Sequence, residues 1–189
     1  MNTSCTLQLF ANGAWCDVGS VSLLGAEAQG WRSKTYTGYS VEWAIEHGGA
    51  RDAHAFACRF PVGLQAFEHP HWPVFLIDML PQGFGREELL RRLGLSVTAG
   101  ESVDWRLLLA GAGNPVGNLR VKEAASWLAA NAGPLRGLTD DEVAERGDDF
   151  AEFLASHGLF VAGSSGVQGE WPKVLLTRAE DCLLYLDHT

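Results

Sequence analysis

The chain has 189 residues, of which 47% are hydrophobic and 20% are charged, and its formal net charge at pH 7 is −9. A chain of this length can bury roughly 70% of its unfolded surface, and the composition excludes intrinsic disorder, collagen and coiled coil. The acidic balance and the lack of a Lys/Arg cluster argue against direct nucleic-acid binding.

The first part of the sequence predicts short strands. Residues 6–10 and 15–24 alternate between polar and apolar side chains around Asn12-Gly13, a strong hairpin signal, so we predict an antiparallel hairpin. Residues 25–38 are typical of a loop, and residues 39–44 predict a third strand with aromatic residues on one face. Another short strand is predicted at 56–60, within a segment interrupted by glycines and prolines.

A helical period begins after Trp72. Residues 73–80 can form two helical turns that stop at Pro81, and residues 86–93 predict an amphipathic helix closed by Gly94. Ser102 can cap a further helix that continues through Leu109, and residues 116–121 predict a strand. We therefore expect residues 1–123 to form a compact α+β unit with a small antiparallel sheet or a barrel-like arrangement.

Residues 124–136 predict a short helix and a connector, and Thr139 with Glu142 has the spacing of a capping box. The capping box predicts a helix to about residue 157, with Val143, Phe150, Phe153 and Leu154 on its buried face. We interpret the acidic run in this segment as a solvated helix start rather than a metal site. The run comprises Asp140, Asp141, Glu142, Glu145, Asp148, Asp149 and Glu152.

The segment 160–177 predicts an entry strand, a loop rich in glycine and serine, and an exit strand, with a further strand at 182–186. Glycines let backbone N–H groups approach phosphate oxygens, serine hydroxyls add donors, and a lysine adds positive charge. The glycine spacing matches neither the Walker motif nor the kinase Gly-x-Gly-x-x-Gly motif, so a phosphate-binding loop and an ordinary surface loop both stay open. The candidate residues are Gly163, Ser164, Ser165, Gly166, Val167, Gln168, Gly169 and Lys173.

Two segments resemble a known family. Residues 75–83 (Phe-Leu-Ile-Asp-Met-Leu-Pro-Gln-Gly), followed by Arg86, Leu89 and Leu93, resemble the signature helix of the N-terminal subdomain of HipA-type toxin kinases. Residues 163–173 resemble the glycine-rich loop of that family, with its Val-Gln-Gly and Pro-Lys elements. The resemblance implies a HipA N-terminal-like subdomain at 1–123, connector helices at 124–158 and the opening strands of a kinase-like N-lobe at 159–189.

The resemblance implies a serine/threonine protein kinase toxin of a type II toxin–antitoxin system, with ATP and Mg²⁺ as cofactors. Its partners would be a HipB-like helix-turn-helix antitoxin and a protein substrate such as an aminoacyl-tRNA synthetase. The loop residues would bind the nucleotide, and a loop serine would be autophosphorylated, which adds negative charge. The family serine aligns with Gly166, so Ser165 and Ser164 are the candidates.

Phosphoryl transfer also needs a strand lysine, a catalytic aspartate and Mg²⁺ ligands, which the sequence after Lys173 does not supply. We therefore predict that the chain alone has no kinase activity and binds no nucleotide tightly. Two hypotheses stay open. The chain is the N-terminal part of a kinase that is active when joined to its catalytic half, or it is a catalytically inert interaction module that binds a kinase partner or an antitoxin.

The remaining candidates predict no chemistry. His69-Pro70-His71, with His47 and His54, lacks a supporting carboxylate and is typical of surface and turn histidines. Cysteines 5, 16, 58 and 182 are widely spaced, without a zinc or redox motif. Because no signal-peptide pattern and no membrane-length apolar stretch occur, we expect a cytoplasmic protein without a membrane partner.

Overall fold

The computed structural model describes residues 3–97, 100–115, 117–131, 136–145, 147, 153 and 176–186. Within these residues the chain is an α+β protein, which confirms the predicted fold class. Five strands form an antiparallel sheet in the order β4-β3-β2-β1-β5, and two further strands pair with each other. Since β4 and β5 lie at opposite ends of that order, this part of the chain forms an open sheet and not a barrel.

The strands of the large sheet are β1 Ser4–Ala11, β2 Ala14–Leu23, β3 Thr35–Tyr39, β4 Phe67–His69 and β5 Leu119–Val121, and the small sheet contains β6 Leu176–Arg178 and β7 Leu184–Leu186. The helices are α1 Val41–Glu46, α2 Val74–Asp78, α3 Gly83–Arg92, α4 Asp104–Gly111, α5 Lys122–Asn131 and α6 Asp140–Glu145. Two short 3-10 turns span Glu27–Arg32. None of the helices among the described residues is long and apolar enough to cross a bilayer.

The predicted hairpin is confirmed, because β1 and β2 are joined by Asn12 and Gly13, both with positive φ (52° and 80°). Positive φ at both central residues is the requirement of the type I′ turn. The register shifts between Leu7 and Gln8, so that Leu7 faces Gly19 while Gln8 faces Asp17. This bulge adds one residue, the buried Val18, to β2 and keeps Asp17 directly opposite Gln8.

Two predicted strands are wrong. Residues 39–44 do not form a strand, because β3 ends at Tyr39 and α1 begins at Val41, where the Ser40 hydroxyl accepts a hydrogen bond from the Trp43 amide (3.2 Å). This contact is an N-cap, which favours a helix over a strand. Residues 56–60 form turns, although Phe56 is buried and stacks on Tyr39 with ring centroids 3.9 Å apart. The aromatic residues indicated burial correctly and backbone conformation wrongly.

The other predicted elements that fall on described residues are found close to their expected places, while the entry strand predicted at the start of 160–177 lies outside those residues. Helices α2, α3, α4 and α5 and strand β5 match the predictions at 73–80, 86–93, 102–109, 124–136 and 116–121. The capping box is also present, since the Thr139 amide donates to Glu142 (2.7 Å) and the Glu142 amide donates to the Thr139 hydroxyl (3.2 Å). The predicted continuation of this helix to about residue 157 falls largely outside the described residues. The predicted loop at 25–38 is wrong in its last part, which is strand β3.

Buried side chains form two clusters. The first core lies on one face of the sheet and includes Leu7, Leu9, Val18, Val21, Trp72, Leu76, Trp105, Leu108 and Ala124. The second core includes Leu89, Val103, Leu107, Ala110, Leu128, Leu138, Phe153 and Leu186. Helix α4 contributes to both, because Trp105 and Leu108 belong to the first core and Leu107 and Ala110 to the second. A helix that is apolar on two sides is buried between the structures it contacts.

The segment that resembles the signature helix contributes to both cores. Leu76 and Leu80 are buried in the first core, and Leu89 is buried in the second. Arg86 donates a hydrogen bond from Nη2 to Oδ1 of Asp104 at 2.8 Å, which joins α3 to the start of α4. The Asp104 amide in turn donates to the Ser102 hydroxyl (3.2 Å). In this structure the segment therefore packs in both cores and is joined to helix α4 by an ion pair.

Candidate functional site

The nucleotide-loop residues predicted from the sequence, Gly163, Ser164, Ser165, Gly166, Val167, Gln168, Gly169 and Lys173, lie outside the described residues. The structure describes the hairpin that follows this loop, in which β6 and β7 pair antiparallel, with Leu176 opposite Leu186 and Arg178 opposite Leu184. We therefore take the base of the loop, rather than the loop itself, as the first candidate site.

The β6–β7 hairpin is attached to the rest of the chain through Leu138. The amide of Leu138 donates to the carbonyl of Leu184 and the amide of Leu184 donates to the carbonyl of Leu138, both at 2.8 Å. Leu138 is fully buried and Leu186 is 6% exposed, and both belong to the second core together with Leu107 and Leu128. The predicted exit strand of the glycine-rich loop thus overlaps β6, the first strand of a hairpin that packs on the helices of the α+β unit.

Polar contacts supplement this apolar attachment. Arg178 on β6 donates from Nη2 to Oδ1 of Asp140 (2.6 Å) and from Nη1 to the Cys182 carbonyl (2.8 Å). Arg136 donates to Oε1 of Glu142 (2.8 Å), and the Thr139 amide holds the pKa of Glu142 below its ordinary value. All of these groups are exposed to solvent, so water and salt screen both ion pairs and the attachment rests mainly on the apolar contacts. Two described members of the acidic run therefore have structural roles. Glu142 completes the capping box and pairs with Arg136, and Asp140 pairs with Arg178.

The histidines weighed in the sequence do not come together as one group. His47 and His54 stack with ring centroids 4.4 Å apart, and Nδ1 of His54 lies 2.8 Å from Oδ1 of Asp52. His69 lies instead beside Phe60, and burial lowers the pKa of His69. Among the described residues, no three His, Cys, Asp or Glu side chains form a group that could hold a metal ion.

The second candidate site was not predicted from the sequence. It is a row of polar side chains across the three strands β2, β1 and β5, on the face of the sheet opposite Leu7 and Leu9. The row follows from the register, in which Gln8 faces Asp17 on one side and Arg120 on the other. Gln8 donates from Nε2 to Oδ1 of Asp17 (2.6 Å) and accepts at Oε1 from Nε of Arg120 (2.8 Å).

Two further contacts hold Arg120 and Asp17, the outer members of the row. The Arg120 guanidinium lies over the Trp15 ring, 4.1 Å from its centroid, and Nζ of Lys122 donates to Oδ2 of Asp17 (2.5 Å). Burial alone would raise the pKa of Asp17, but the hydrogen bonds from Lys122 and Gln8 outweigh it and hold that pKa below its ordinary value. Desolvation lowers the pKa of Arg120, which the Asp17 charge partly offsets. Gln8, only 7% exposed, therefore fixes a carboxylate on one side and a guanidinium on the other.

Glu123, the residue after Lys122, has a different role. Strand β5 pairs with β1 only as far as Leu7, and beyond that point the Thr6 amide donates to both carboxylate oxygens of Glu123 (3.0 and 2.9 Å). The Thr6 hydroxyl donates to the same carboxylate (3.0 Å). Glu123 thus replaces the next residue of the ladder at the point where the chain turns into helix α5, and both of its carboxylate oxygens accept hydrogen bonds there.

Fold and site together define an α+β protein whose sheet unit carries an ordered polar row on one face and packs through its helices against a small hairpin. No family model matches the chain, and neither the curated proteins nor the solved structures include a match to it.

Proposed function

We propose that this chain is the N-terminal part of a HipA-like serine/threonine protein kinase toxin of a type II toxin–antitoxin system. In this proposal the chain acts in the cytoplasm and supports ATP-dependent phosphoryl transfer only when joined to its catalytic half. ATP and Mg²⁺ would then bind to the complete kinase, through the loop at 163–173. A HipB-like antitoxin would bind the complete protein, and its substrate would be a protein such as an aminoacyl-tRNA synthetase.

The observation that supports this proposal is the attachment of the β6–β7 hairpin. Leu138 and Leu184 exchange two backbone hydrogen bonds, and Leu186 is buried against helices of the α+β unit. A nucleotide loop acts through fixed backbone donors, so its flanking strands must be held in place. The hairpin that follows the glycine-rich segment in the chain is held in this way by the α+β unit, which supports the proposal.

The experiment is to read the coding sequence that follows this chain, in the same frame or the next, and to produce the joined protein. We expect a kinase lobe with a catalytic aspartate and ATP-dependent phosphate incorporation, detected by mass spectrometry. Leu186→Ala in the joined protein should slow incorporation, because it loosens the hairpin. Leu64→Ala, at a side chain 71% exposed, is the matched control and should not. Absence of a kinase lobe, or no phosphate transfer by the joined protein, would contradict the proposal.

A second candidate function, a catalytically inert interaction module, is favoured by helix α1. Val41 and Ile45 are one helical turn apart on this helix and are 58% and 74% exposed. Apolar side chains four residues apart lie on the same face of a helix and form the kind of surface that a partner helix covers. The partner in this alternative is the helix-turn-helix antitoxin or a separate kinase chain.

This alternative is tested by co-purification with a helix-turn-helix protein encoded beside the chain. Ile45→Glu should abolish co-purification, because it places a charge in the proposed contact. Val97→Glu, at a side chain 59% exposed outside α1, is the matched control and should leave the complex intact. Equal retention or equal loss of both variants would exclude α1 as the contact.

A further inference from the structure

A pocket of about 370 Å³ opens beside the polar row. Among the described residues, it is lined by the polar side chains of Gln8, Arg120 and Lys122 and by Ala125 and Ala129 of helix α5. The volume lies in the range of small-molecule sites, which are largely apolar with a few fixed polar groups. The pocket is therefore large enough for a ligand of the size of one amino acid.

The Arg120 guanidinium at this pocket is already held in place by contacts within the protein. Arg120 uses Nε for Gln8 and rests on the Trp15 ring, which leaves the N–H donors on its two Nη atoms without an acceptor among the described residues. Fixing a guanidinium in advance reduces the entropy lost on binding. Its planar fork matches the two oxygens of a carboxylate.

Gly113 makes room for helix α5 at the pocket. A Cβ atom at this residue would lie 2.6 Å from the backbone carbon of Ala124 and 2.6 Å from the nitrogen of Ala125. Only a glycine lets the turn after α4 approach the backbone of α5 this closely. The position of helix α5 at the pocket is thus set by backbone packing.

We propose that this pocket binds a small organic monoanion, a carboxylate carried on an apolar group. Arg120 and Lys122 are partly neutralised by Asp17, which leaves one net positive charge at the pocket and suits a monoanion better than a dianionic phosphate. Glu123 does not line the pocket and is bonded to Thr6. The alanine side chains of α5 suit the apolar part of the ligand. The site contains no residue of the glycine-rich loop, so this proposal is independent of the kinase proposal.

The test is an NMR titration of the ¹⁵N-labelled full chain with N-acetyl-L-leucine, using N-acetyl-L-leucinamide as the neutral match. We expect saturable shifts of the Gly113 and Ser126 amides with the acid at millimolar concentration, and about tenfold weaker binding of the amide, since one charged contact is lost. Ala129→Glu should remove binding, because it adds a negative charge to the pocket. Ala130→Glu makes the same change one residue along the helix, at an exposed position that does not line the pocket, and should bind as the unmodified chain does.

The same spectra report whether each variant is folded. If Ala129→Glu is not folded, Lys122→Met replaces it, because the Lys122 side chain is 48% exposed. The proposal is overturned if the acid causes no saturable shift, if the amide binds equally well, or if Ala129→Glu and Ala130→Glu behave alike. Tighter binding of inorganic phosphate than of the acid would overturn the assignment to a monocarboxylate.

Discussion

Replacing Leu186 by alanine should open the β6–β7 hairpin without unfolding the rest of the chain. Leu186 is 6% exposed in the second core, whereas Thr177, Arg178 and the turn between the strands are exposed. Truncating a buried leucine to alanine costs about 2 kcal/mol or more. Because the hairpin has few other buried side chains, most of this cost falls on its attachment, and the free energy of local opening decreases by the same amount.

The assay is amide hydrogen exchange measured by NMR. The amides of Leu138 and Leu184 are the reporters, because each donates to the other residue's carbonyl across the attachment. A loss of about 2 kcal/mol predicts exchange about 30-fold faster at these two amides. The amides of α4, which lie between the two cores, should keep their exchange rates, because they open only when the whole unit unfolds.

Leu64→Ala is the matched control, because it makes the same chemical change at a side chain that is 71% exposed. Surface substitutions of this kind change stability by about 0.5 kcal/mol at most, so no amide should respond strongly. Equal acceleration of the hairpin and α4 amides in Leu186→Ala would refute the reasoning, since the hairpin would then unfold only with the whole chain. No acceleration at Leu138 and Leu184 would refute it as well.

Three further predictions concern packing, pH and nucleotide binding. Gly113→Ala should lower the urea midpoint, because the added Cβ meets the α5 backbone at 2.6 Å, while Gly117→Ala, with nothing within 4 Å, should not. Hydrogen bonds from Arg91, and then Arg92, lower the pKa of Glu88 from 4.5 to about 2. Its contribution to stability is therefore present above about pH 4.5 and lost as the pH falls towards 2. In urea unfolding at several pH values, Glu88→Gln should show a smaller loss over that range, and an unchanged loss would contradict the assignment. Calorimetry of the chain alone with ATP and Mg²⁺ should give an affinity weaker than millimolar, and tight binding would contradict the need for a catalytic half.

The elements that could be predicted from the sequence are those set by neighbouring residues. Asn12 and Gly13 specify a turn by themselves, and Thr139 with Glu142 specifies a helix start within four residues. The Ser40 cap is also local, because its hydroxyl accepts from the backbone amide three residues later, and a serine favours a helix start at such a position. Turn and capping residues therefore predict the backbone conformation better than the alternation of aromatic residues does.

The polar row could not be predicted, because its parts are far apart in the chain. Gln8 and Arg120 each stand between two apolar residues of a strand, which indicates that both side chains leave the core face. Gln8 and Arg120 are 112 residues apart, and their contact depends on the pairing of β1 with β5. The contact of Gln8 with Asp17 depends on the bulge that sets these two residues opposite each other. Neither the pairing nor the bulge has a sequence signal of its own.

Helix α4 has a consequence for how this chain tolerates change. Trp105 and Leu108 pack in the first core, and Leu107 and Ala110 pack in the second. Arg106 donates a hydrogen bond to Glu27 (3.1 Å). A random substitution in these eight residues therefore meets a packed partner at almost every position. In a library of single variants selected for solubility, α4 should be the most depleted helix, whereas α1 should accept polar residues at its exposed positions Val41 and Ile45.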